Sequence, residues 1–448
     1  MSLTALIVIV FIIGYMFIAL ESVTKVNKAA VALLMFAAVW TLYMIDPGQY
    51  LPAIPHDKIA QTVSGIIERH LGSTSTTLFF LMGAMTIVEV VDQNGGFNWV
   101  KSVMHAKSKH SLMWKIAFMT FVLSAILDNL TTSIVMIMIL RKLVSDHKDR
   151  MVYASLVIIA ANAGGAASPI GDVTTIMLWN ANMITALGVL SEILIPSVVA
   201  MVVPGLIIQT MLKGQLLPPP EDNEHVDGET DDLSSGQRKA VFFIGVGGLI
   251  CVPIFKTITH LPPFVGVLLV LGLLWTVTEV FYSHLKTTYE TGGIKKRVSK
   301  LLSRIDMSTI LFFLGILMAV ACLEEVGVLK ALGSTLNTVF DGNHYMVTGI
   351  IGVLSSIVDN VPLVAGCMGM YPVMPTGDFA VDGIFWQLLA YCAGVGGSML
   401  IIGSAAGVVV MGLEKITFGW YMKHVSWIAF VGYILGMVCY WALRTFIF

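Results

Sequence analysis

The chain has 448 residues, of which 56% are hydrophobic and only 12% are Asp, Glu, Lys or Arg. Soluble domains carry roughly 25% charged residues, so a soluble protein of this length is excluded. The net charge of −2 gives no reason to expect a nucleic-acid partner. The apolar runs are continuous, which excludes the alternating strands of a membrane β-barrel. The composition therefore predicts an all-α polytopic membrane protein that spans a lipid bilayer.

Long apolar segments occur in two groups, and a helix needs about 20 such residues to cross the hydrocarbon core. The first group is Leu3–Leu20, Ala29–Ile45, Thr76–Val91, Leu112–Leu140, Val152–Leu187 and Leu190–Leu212. The second group is Ala240–Phe255, Pro263–Phe281, Ser308–Val326, Tyr345–Tyr371, Ile384–Leu413 and Tyr421–Phe446. Residues 213–239 between them hold three consecutive prolines and an acidic run, which predicts a solvated linker.

The two groups repeat the same motifs in the same order. The Asp-Asn pair at Asp128 recurs at Asp359, and a Gly-Gly pair at Gly164 recurs at Gly396. The spacings are 231 and 232 residues, because 359 − 128 = 231 and 396 − 164 = 232. Small residues recur in membrane helices for packing, but packing does not explain a repeated Asp-Asn pair. The pattern therefore indicates an internal duplication.

Residues 111–141 and 344–371 are each about 30 residues long, too long for one comfortable straight crossing. Each is either a tilted crossing or a re-entrant hairpin with the Asp-Asn pair at its tip. If both are hairpins, one side of the membrane holds 21 of the 26 Lys and Arg residues, and the other holds 5. If both cross, the division is 16 against 10. Because basic residues stay in the cytoplasm during insertion, the charge distribution favours hairpins.

The predicted fold therefore has two inverted-topology repeats, each with five crossings, a re-entrant helical hairpin and a broken transmembrane helix. The first repeat is 1–212, with scaffold helices at about 1–92 and the hairpin and broken helix at about 111–212. The second repeat is 240–448, with scaffold helices at about 240–326 and the hairpin and broken helix at about 344–448. The linker at 213–239 is expected in the cytoplasm, and both termini are expected on the periplasmic side.

The candidate chemistry lies where the membrane segments are interrupted. A carboxylate near the bilayer centre costs roughly 2.5–3.5 kcal/mol, so Asp128 and Asp359 need a reason to be there. One reason is simply to cap the second half-helix of each hairpin. The other is a cation site, because Asp172 follows a Gly- and Pro-containing break and no Arg or Lys lies in either interruption. A buried carboxylate that binds either H⁺ or Na⁺ gives exchange by competition.

Two acids end the third span of each group: Glu89 and Asp92 in the first group, and Glu324 and Glu325 in the second. They are candidates for a proton pathway or a pH-sensing rim. Acids that merely reach the membrane surface are an equally good explanation.

Three motifs together resemble those of the NhaD-type sodium/proton antiporters of the ion transporter superfamily: Leu127–Thr132, Ala161–Thr175 and Val358–Pro362. The resemblance covers nearly the whole chain. It implies exchange of Na⁺ or Li⁺ for H⁺ without a further cofactor, a homodimer, and a place in the bacterial inner membrane. By analogy, the ion site includes Asp128, Asn129, Thr131, Thr132, Asn162, Asp172, Thr174, Thr175, Ser355, Asp359, Asn360, Ser398 and Ser404.

Other functions share parts of this pattern. An arsenite or other anion permease and a Na⁺-coupled dicarboxylate symporter have the same expected fold. Dicarboxylate carriers resemble one another in a Ser-Asn-Thr sequence at their hairpin tips, whereas the predicted tips of this chain carry Asp-Asn. An intramembrane aspartyl protease also uses two aspartates. Its characteristic Tyr-Asp context is replaced here by Leu-Asp and Val-Asp.

Overall fold

The computed structural model describes residues 2–19, 24–96, 104, 106, 108–212, 233–283, 298–357 and 360–447. Within these residues the chain forms helices and connecting turns, and no strand occurs among them. The prediction of an all-α protein is confirmed. Asp359 and residues 213–232 of the predicted linker lie outside the described residues.

The helices of the first half are α1 (Leu3–Ala19), α2 (Lys28–Tyr43), α3 (His56–Gln93), α4 (Lys109–Ser124), α5 (Asn129–Leu143), α6 (His147–Ala166), α7 (Val173–Asn180), α8 (Ala186–Glu192) and α9 (Leu194–Ile208). Those of the second half are α10 (Ser235–Thr259), α11 (Pro263–Ser283), α12 (Val298–Leu301), α13 (Met307–Glu325), α14 (Val328–Val339), α15 (His344–Leu354), α16 (Asn360–Met370), α17 (Ile384–Gly396), α18 (Ala405–Glu414), α19 (Phe418–Tyr421) and α20 (Trp427–Phe446). A π-helical turn joins α19 to α20. By length and composition, six helical segments in the described part of the chain can cross a membrane.

Three helices differ from the predicted segments. Helix α3 begins at His56 rather than Thr76, because Pro55 precedes it and no proline interrupts the polar turns that follow. Helix α10 includes the last residues of the predicted linker, because Ser234 and Gln237 form a capping box. Helix α14 is amphipathic and was not predicted.

Helices α4 and α5 fold back on each other beside α6. The first residue of α4, Lys109, forms an ion pair of 2.6 Å with Asp149, near the start of α6. At the other end of α4, the Ser124 hydroxyl donates to the carbonyl of Ala161, in the penultimate turn of α6. Helix α4 is therefore parallel to α6, while α5 returns antiparallel and is joined to the start of α6 by three residues.

Helices α15, α16 and α17 repeat this arrangement in the second half. At the start of α15, His344 contacts the ring of Phe385, in the first turn of α17. At its end, Ser355 donates to the carbonyl of Ala393, as Ser124 does to Ala161. Tyr371, after α16, packs on Phe385, so α16 returns antiparallel to α17.

Two equivalent glycines allow these helices to pack closely. A Cβ on Gly164 would overlap the carbonyl oxygen of Phe121, and a Cβ on Gly396 would overlap that of Gly352. The repeated Gly-Gly motifs therefore bring α4 against α6 and α15 against α17.

The broken helices of the two halves pass each other in opposite directions. Helix α18 is capped at its start by Ser404, whose hydroxyl accepts from Asn162 near the end of α6. It ends at Glu414, which pairs with Arg150 near the start of α6. Likewise, Thr185 beyond the end of α7 binds Asp382 before the start of α17.

Ionic groups distinguish the two ends of the molecule. The basic end is defined here by Lys109, Arg141 and Arg150, and the opposite end by Arg69 and Arg444. At the basic end, the buried Glu414 accepts from Arg141 at 2.7 Å and from Arg150 at 3.1 Å. This cluster ties α5, α6 and α18 together.

The close glycine contacts predict the effect of adding a methyl group. Gly164→Ala and Gly396→Ala should each destabilise the protein by about 1–3 kcal/mol, because a backbone carbonyl cannot easily move away. Gly366→Ala, on α16, is the matched control, since a Cβ at that position would meet no neighbouring group within 4 Å. Thermal unfolding midpoints of the detergent-solubilised variants test this, and equal midpoints for all three would contradict the close packing.

Candidate functional site

Asp172 lies at the centre of the molecule, where the helical segment α6–α7 is interrupted. Its side chain is 2% exposed and caps α7 by accepting from the backbone N–H of Thr174 at 3.1 Å. The Thr175 hydroxyl donates to the backbone carbonyl of Asp172 at 2.9 Å. The carboxylate therefore occupies the positive end of a half-helix dipole inside the protein.

Side-chain amides from both halves of the chain converge on this carboxylate. Asn129, which begins α5, donates to Asp172 Oδ2 at 3.2 Å, and Asn360, which begins α16, donates to the same atom at 3.2 Å. Asn129 also donates to Asn162 Oδ1 at 3.1 Å, and Asn162 in turn donates to Ser404 at 3.0 Å. The hairpin turns and helix breaks of both halves thus meet in one hydrogen-bonded cluster.

Asp128 has a different role from Asp172 in this structure. Its Oδ1 accepts from the backbone N–H of Thr131 and its Oδ2 accepts from the Thr131 hydroxyl, both at 2.7 Å. These contacts are those of a helix cap on α5. The backbone of Asp128 has φ 144° and ψ 161°, a region that favours glycine and costs about 1–3 kcal/mol for other residues.

Two buried hydroxyls lie next to the cluster in sequence and have no hydrogen-bond partner. They are Thr132 Oγ1 on α5 and Thr174 Oγ1 on α7, and both side chains are fully buried. A buried polar atom without a partner is costly unless a ligand or water satisfies it. Both oxygens are hard ligands of the kind that alkali cations accept.

The remaining predicted serines have structural contacts. Ser355 donates to Ala393 across the helix pair, and Ser398 donates to the carbonyl of Val395. The structure therefore brings together Asn129, Asn162, Asp172, Asn360 and Ser404, but it gives Ser355 and Ser398 no contact with Asp172. Asp359 is outside the described residues.

The acids at the span ends, Glu89, Asp92, Glu324 and Glu325, lie toward the two ends of the molecule and not in the cluster. Glu325 accepts from Arg69 and contacts His70 Nε2, both at 2.8 Å, at the opposite end. Its neighbour Glu324 lies against Gly369 of α16. Glu89 pairs with Arg304 at 3.5 Å near the other end of α3, where Asp92 is also located.

Sequence reasoning missed two groups that the structure places near these elements. Glu414 is 1% exposed and joins the two halves at the basic end. Lys256 on α10 donates to the carbonyl of Trp179 on α7 at 2.8 Å. Each is an isolated charge at the end of an apolar run, and this was the only signal in the sequence. No cluster of three or more His, Cys, Asp or Glu able to hold a metal occurs among the residues the structure describes.

Comparison with known proteins gives consistent matches along the chain. A family model described as citrate transporter matches residues 15–388. Sodium/proton antiporter 1 of Arabidopsis thaliana is 41% identical over 98% of this chain and 72% of its own length. Sodium/proton antiporter 2 of the same plant is 39% identical over 98% of this chain and 99% of its own length. The Na⁺/H⁺ antiporter NhaD of Vibrio cholerae is 28% identical over 97% and 91% of the two chains.

The strained cap at Asp128 leads to a prediction about stability. Asp128→Ala should lose the cap and keep the strain, whereas Asp128→Gly should lose the cap but relieve the strain. The glycine variant should therefore be more stable than the alanine variant by about 1–3 kcal/mol. Thermal unfolding of the purified variants measures the difference, and an alanine variant as stable as the glycine variant would show that the backbone is not strained.

Proposed function

The chain belongs to the citrate transporter family, and we propose that it exchanges Na⁺ or Li⁺ for H⁺ at the Asp172 cluster. It is a membrane transporter and not an enzyme, because its relatives over nearly its whole length are named antiporters. This removes the aspartyl protease alternative. The single observation that carries the proposal is a buried carboxylate that accepts from amides of both halves.

The proposed substrate is a cation rather than the citrate of the family description. The relatives at 41% and 39% identity are both named sodium/proton antiporters. The chemistry of the cluster agrees with that name, since a central carboxylate repels an anionic substrate and attracts a cation. An arsenite or dicarboxylate substrate is therefore not favoured.

We propose that the two halves are inverted repeats with re-entrant hairpins. The proposal is supported by the antiparallel passage of α6–α7 and α17–α18, and by the equivalent Ser124–Ala161 and Ser355–Ala393 hydrogen bonds. It is also supported by helix lengths, since α4, α5, α15 and α16 have 11 to 16 residues and are short for a full crossing. In the described part of the chain, the six long segments, α1, α2 and the two broken helices add up to ten, and this number supports five crossings in each repeat.

The basic end is proposed to face the cytoplasm, following the positive-inside rule. The linker 213–239 is then cytoplasmic and both termini are periplasmic. The scaffold of each repeat, about 1–92 and 240–326, would stay fixed while the hairpins and broken helices, about 111–212 and 344–448, expose the cluster to each side in turn. The homodimer and the bacterial inner membrane stay predictions from the resemblance alone.

In the proposed mechanism Asp172 holds either H⁺ or Na⁺. Without Na⁺, the amides of Asn129 and Asn360 donate to the carboxylate. When Na⁺ arrives, rotation of either amide by half a turn would present its Oδ1 to the ion, because one side chain carries both donor and acceptor. Thr132 and Thr174 would supply hydroxyl oxygens that have no partner otherwise. Competition between the two ions for one carboxylate then couples their movement.

The other predicted site residues take supporting roles in this proposal. Asp128 with Thr131 holds the turn that places Asn129, and Thr175 braces the backbone of Asp172. Asp359, Ser355 and Ser398 are proposed to shape the second hairpin and break. Glu89, Asp92, Glu324 and Glu325 stay candidates for a proton pathway or a pH-sensing rim.

The proposal predicts the behaviour of everted membrane vesicles that carry a respiration-driven pH gradient. Addition of Na⁺ or Li⁺ should dissipate the gradient in vesicles with the unaltered protein, and Asp172→Asn should abolish this response. Asn129→Ala and Asn360→Ala should raise the apparent KM for Na⁺ about tenfold each, because each loses one amide contact of about 1–1.5 kcal/mol.

Asp146→Asn is the matched control, because Asp146 is an exposed cap of α6 and Asn caps a helix equally well. Its exchange should equal that of the unaltered protein. If Asp172→Asn is inserted in the membrane and still exchanges Na⁺ at the normal rate, the assignment of Asp172 is wrong. If no cation acts on the unaltered protein, the antiporter proposal fails as a whole.

A further inference from the structure

A cavity of about 450 Å³ lies between the cluster and the opposite end of the molecule. Two walls come from α3 and α13, which belong to the proposed scaffold. The other two come from α7 and α16, which belong to the proposed moving part. The cavity therefore lies along the boundary at which the two parts would slide.

The cavity runs from a charged mouth toward Asp172, although no residue of the cluster itself lines it. Arg69 and His70, about four turns into α3, and Glu324, at the end of α13, lie near the Arg69–Glu325 ion pair. The inner lining includes Met177, which is five residues after Asp172 on α7 and so about 7 Å along the helix. Thr77 lines the wall eight residues after Arg69, which is about 12 Å deeper along α3.

One side of the cavity is a polar stripe on an otherwise apolar wall. Ser73, Thr74 and Thr77 follow each other along one face of α3, and Asn180 faces them from α7. The Asn180 amide donates to the Thr77 hydroxyl at 3.4 Å. Its carbonyl oxygen Oδ1 is buried and accepts no hydrogen bond. This neutral oxygen has no partner to lose, so it is available to a cation or its water shell when the Asn180 side chain turns toward the cavity.

We infer that this cavity is the vestibule through which hydrated monovalent cations travel between the Asp172 cluster and the non-cytoplasmic side. Asn180 is a positioning residue on that route. The inference rests on the proposed function, because it takes the Asp172 cluster as the transport site. Beyond the proposed function, it identifies the route that the cations take, the polar wall of that route and the side of the membrane to which this conformation is open.

Cysteine accessibility tests the route. The five native cysteines at Cys251, Cys322, Cys367, Cys392 and Cys439 are replaced by alanine, and this parent must retain Na⁺/H⁺ exchange. Ala321→Cys places a thiol on the cavity wall of α13. Leu311→Cys, on the same helix, is the matched control, because Leu311 is 39% exposed on an apolar surface and does not line the cavity.

Membrane-impermeant MTSET is added to right-side-out vesicles, and the remaining thiols are then labelled with a fluorescent maleimide after solubilisation. MTSET should block later labelling of Ala321→Cys and leave Leu311→Cys fully labelled.

If the parent exchanges Na⁺ but Ala321→Cys is modified only in everted vesicles, or from neither side, the vestibule is wrong while the antiporter stands. If the alanine parent does not exchange Na⁺ but the protein with its native cysteines does, the five cysteines are replaced by serine instead. If the protein with its native cysteines does not exchange Na⁺ either, the proposed function itself fails.

Asn180→Leu tests the positioning residue in the exchange-competent protein. With Na⁺ added outside right-side-out vesicles, the apparent KM for Na⁺ should rise several-fold while the rate at saturating Na⁺ stays near normal. Asn180→Asp should bring the KM back toward its normal value, because it restores an oxygen at the same position. An unchanged KM in Asn180→Leu, or an equal loss of rate in both variants, would remove Asn180 from the route.

Discussion

The structure depends on one buried carboxylate that lies where a helix has been interrupted. Asp172 is almost fully enclosed, and burying a carboxylate is costly unless hydrogen bonds compensate for the water it loses. The compensation comes from three directions: the first turn of α7, the amide of Asn129 and the amide of Asn360. Since the two amides begin α5 and α16, both helix pairs must fold back near the centre of the molecule.

The hairpins and the helix break before α7 both supply hydrogen-bond donors to Asp172. A continuous helix satisfies its own backbone, so it offers no free N–H groups to a carboxylate. The break before α7 exposes such groups to Asp172, and each hairpin turn brings an amide that donates to the same carboxylate. The cost is visible at Asp128, whose backbone is held in a glycine-like conformation by the cap that fixes Asn129. The buried Glu414 cluster then joins the halves at the basic end.

Sequence patterns predicted the elements of this arrangement better than the contacts between them. The Asp-Asn motif at Asp128 lies at the turn between α4 and α5, because Asp and Asn favour caps and turns. The Gly-Gly motifs lie at the ends of α6 and α17, just before the breaks, where Gly164 and Gly396 are helical and allow close packing. These motifs did not reveal that Asn360 binds Asp172, since the convergence of distant residues depends on packing. The predicted segment for α3 was also too short, because apolar residues identify the part of a helix that crosses the membrane and not its polar turns outside. The cavity wall at Ser73, Thr74 and Thr77 looked like ordinary polar sequence.

If Asp172 binds Na⁺ and H⁺ in turn, adding Na⁺ must displace protons from the purified protein. Purified protein in weakly buffered detergent solution at alkaline pH is mixed with NaCl, and a pH-indicator dye records released protons. Saturable proton release is expected on Na⁺ addition to the unaltered protein and to Asp146→Asn, and no such release is expected from Asp172→Asn. Release of the same size from Asp172→Asn would contradict this expectation, as would Na⁺ binding by the unaltered protein without proton release.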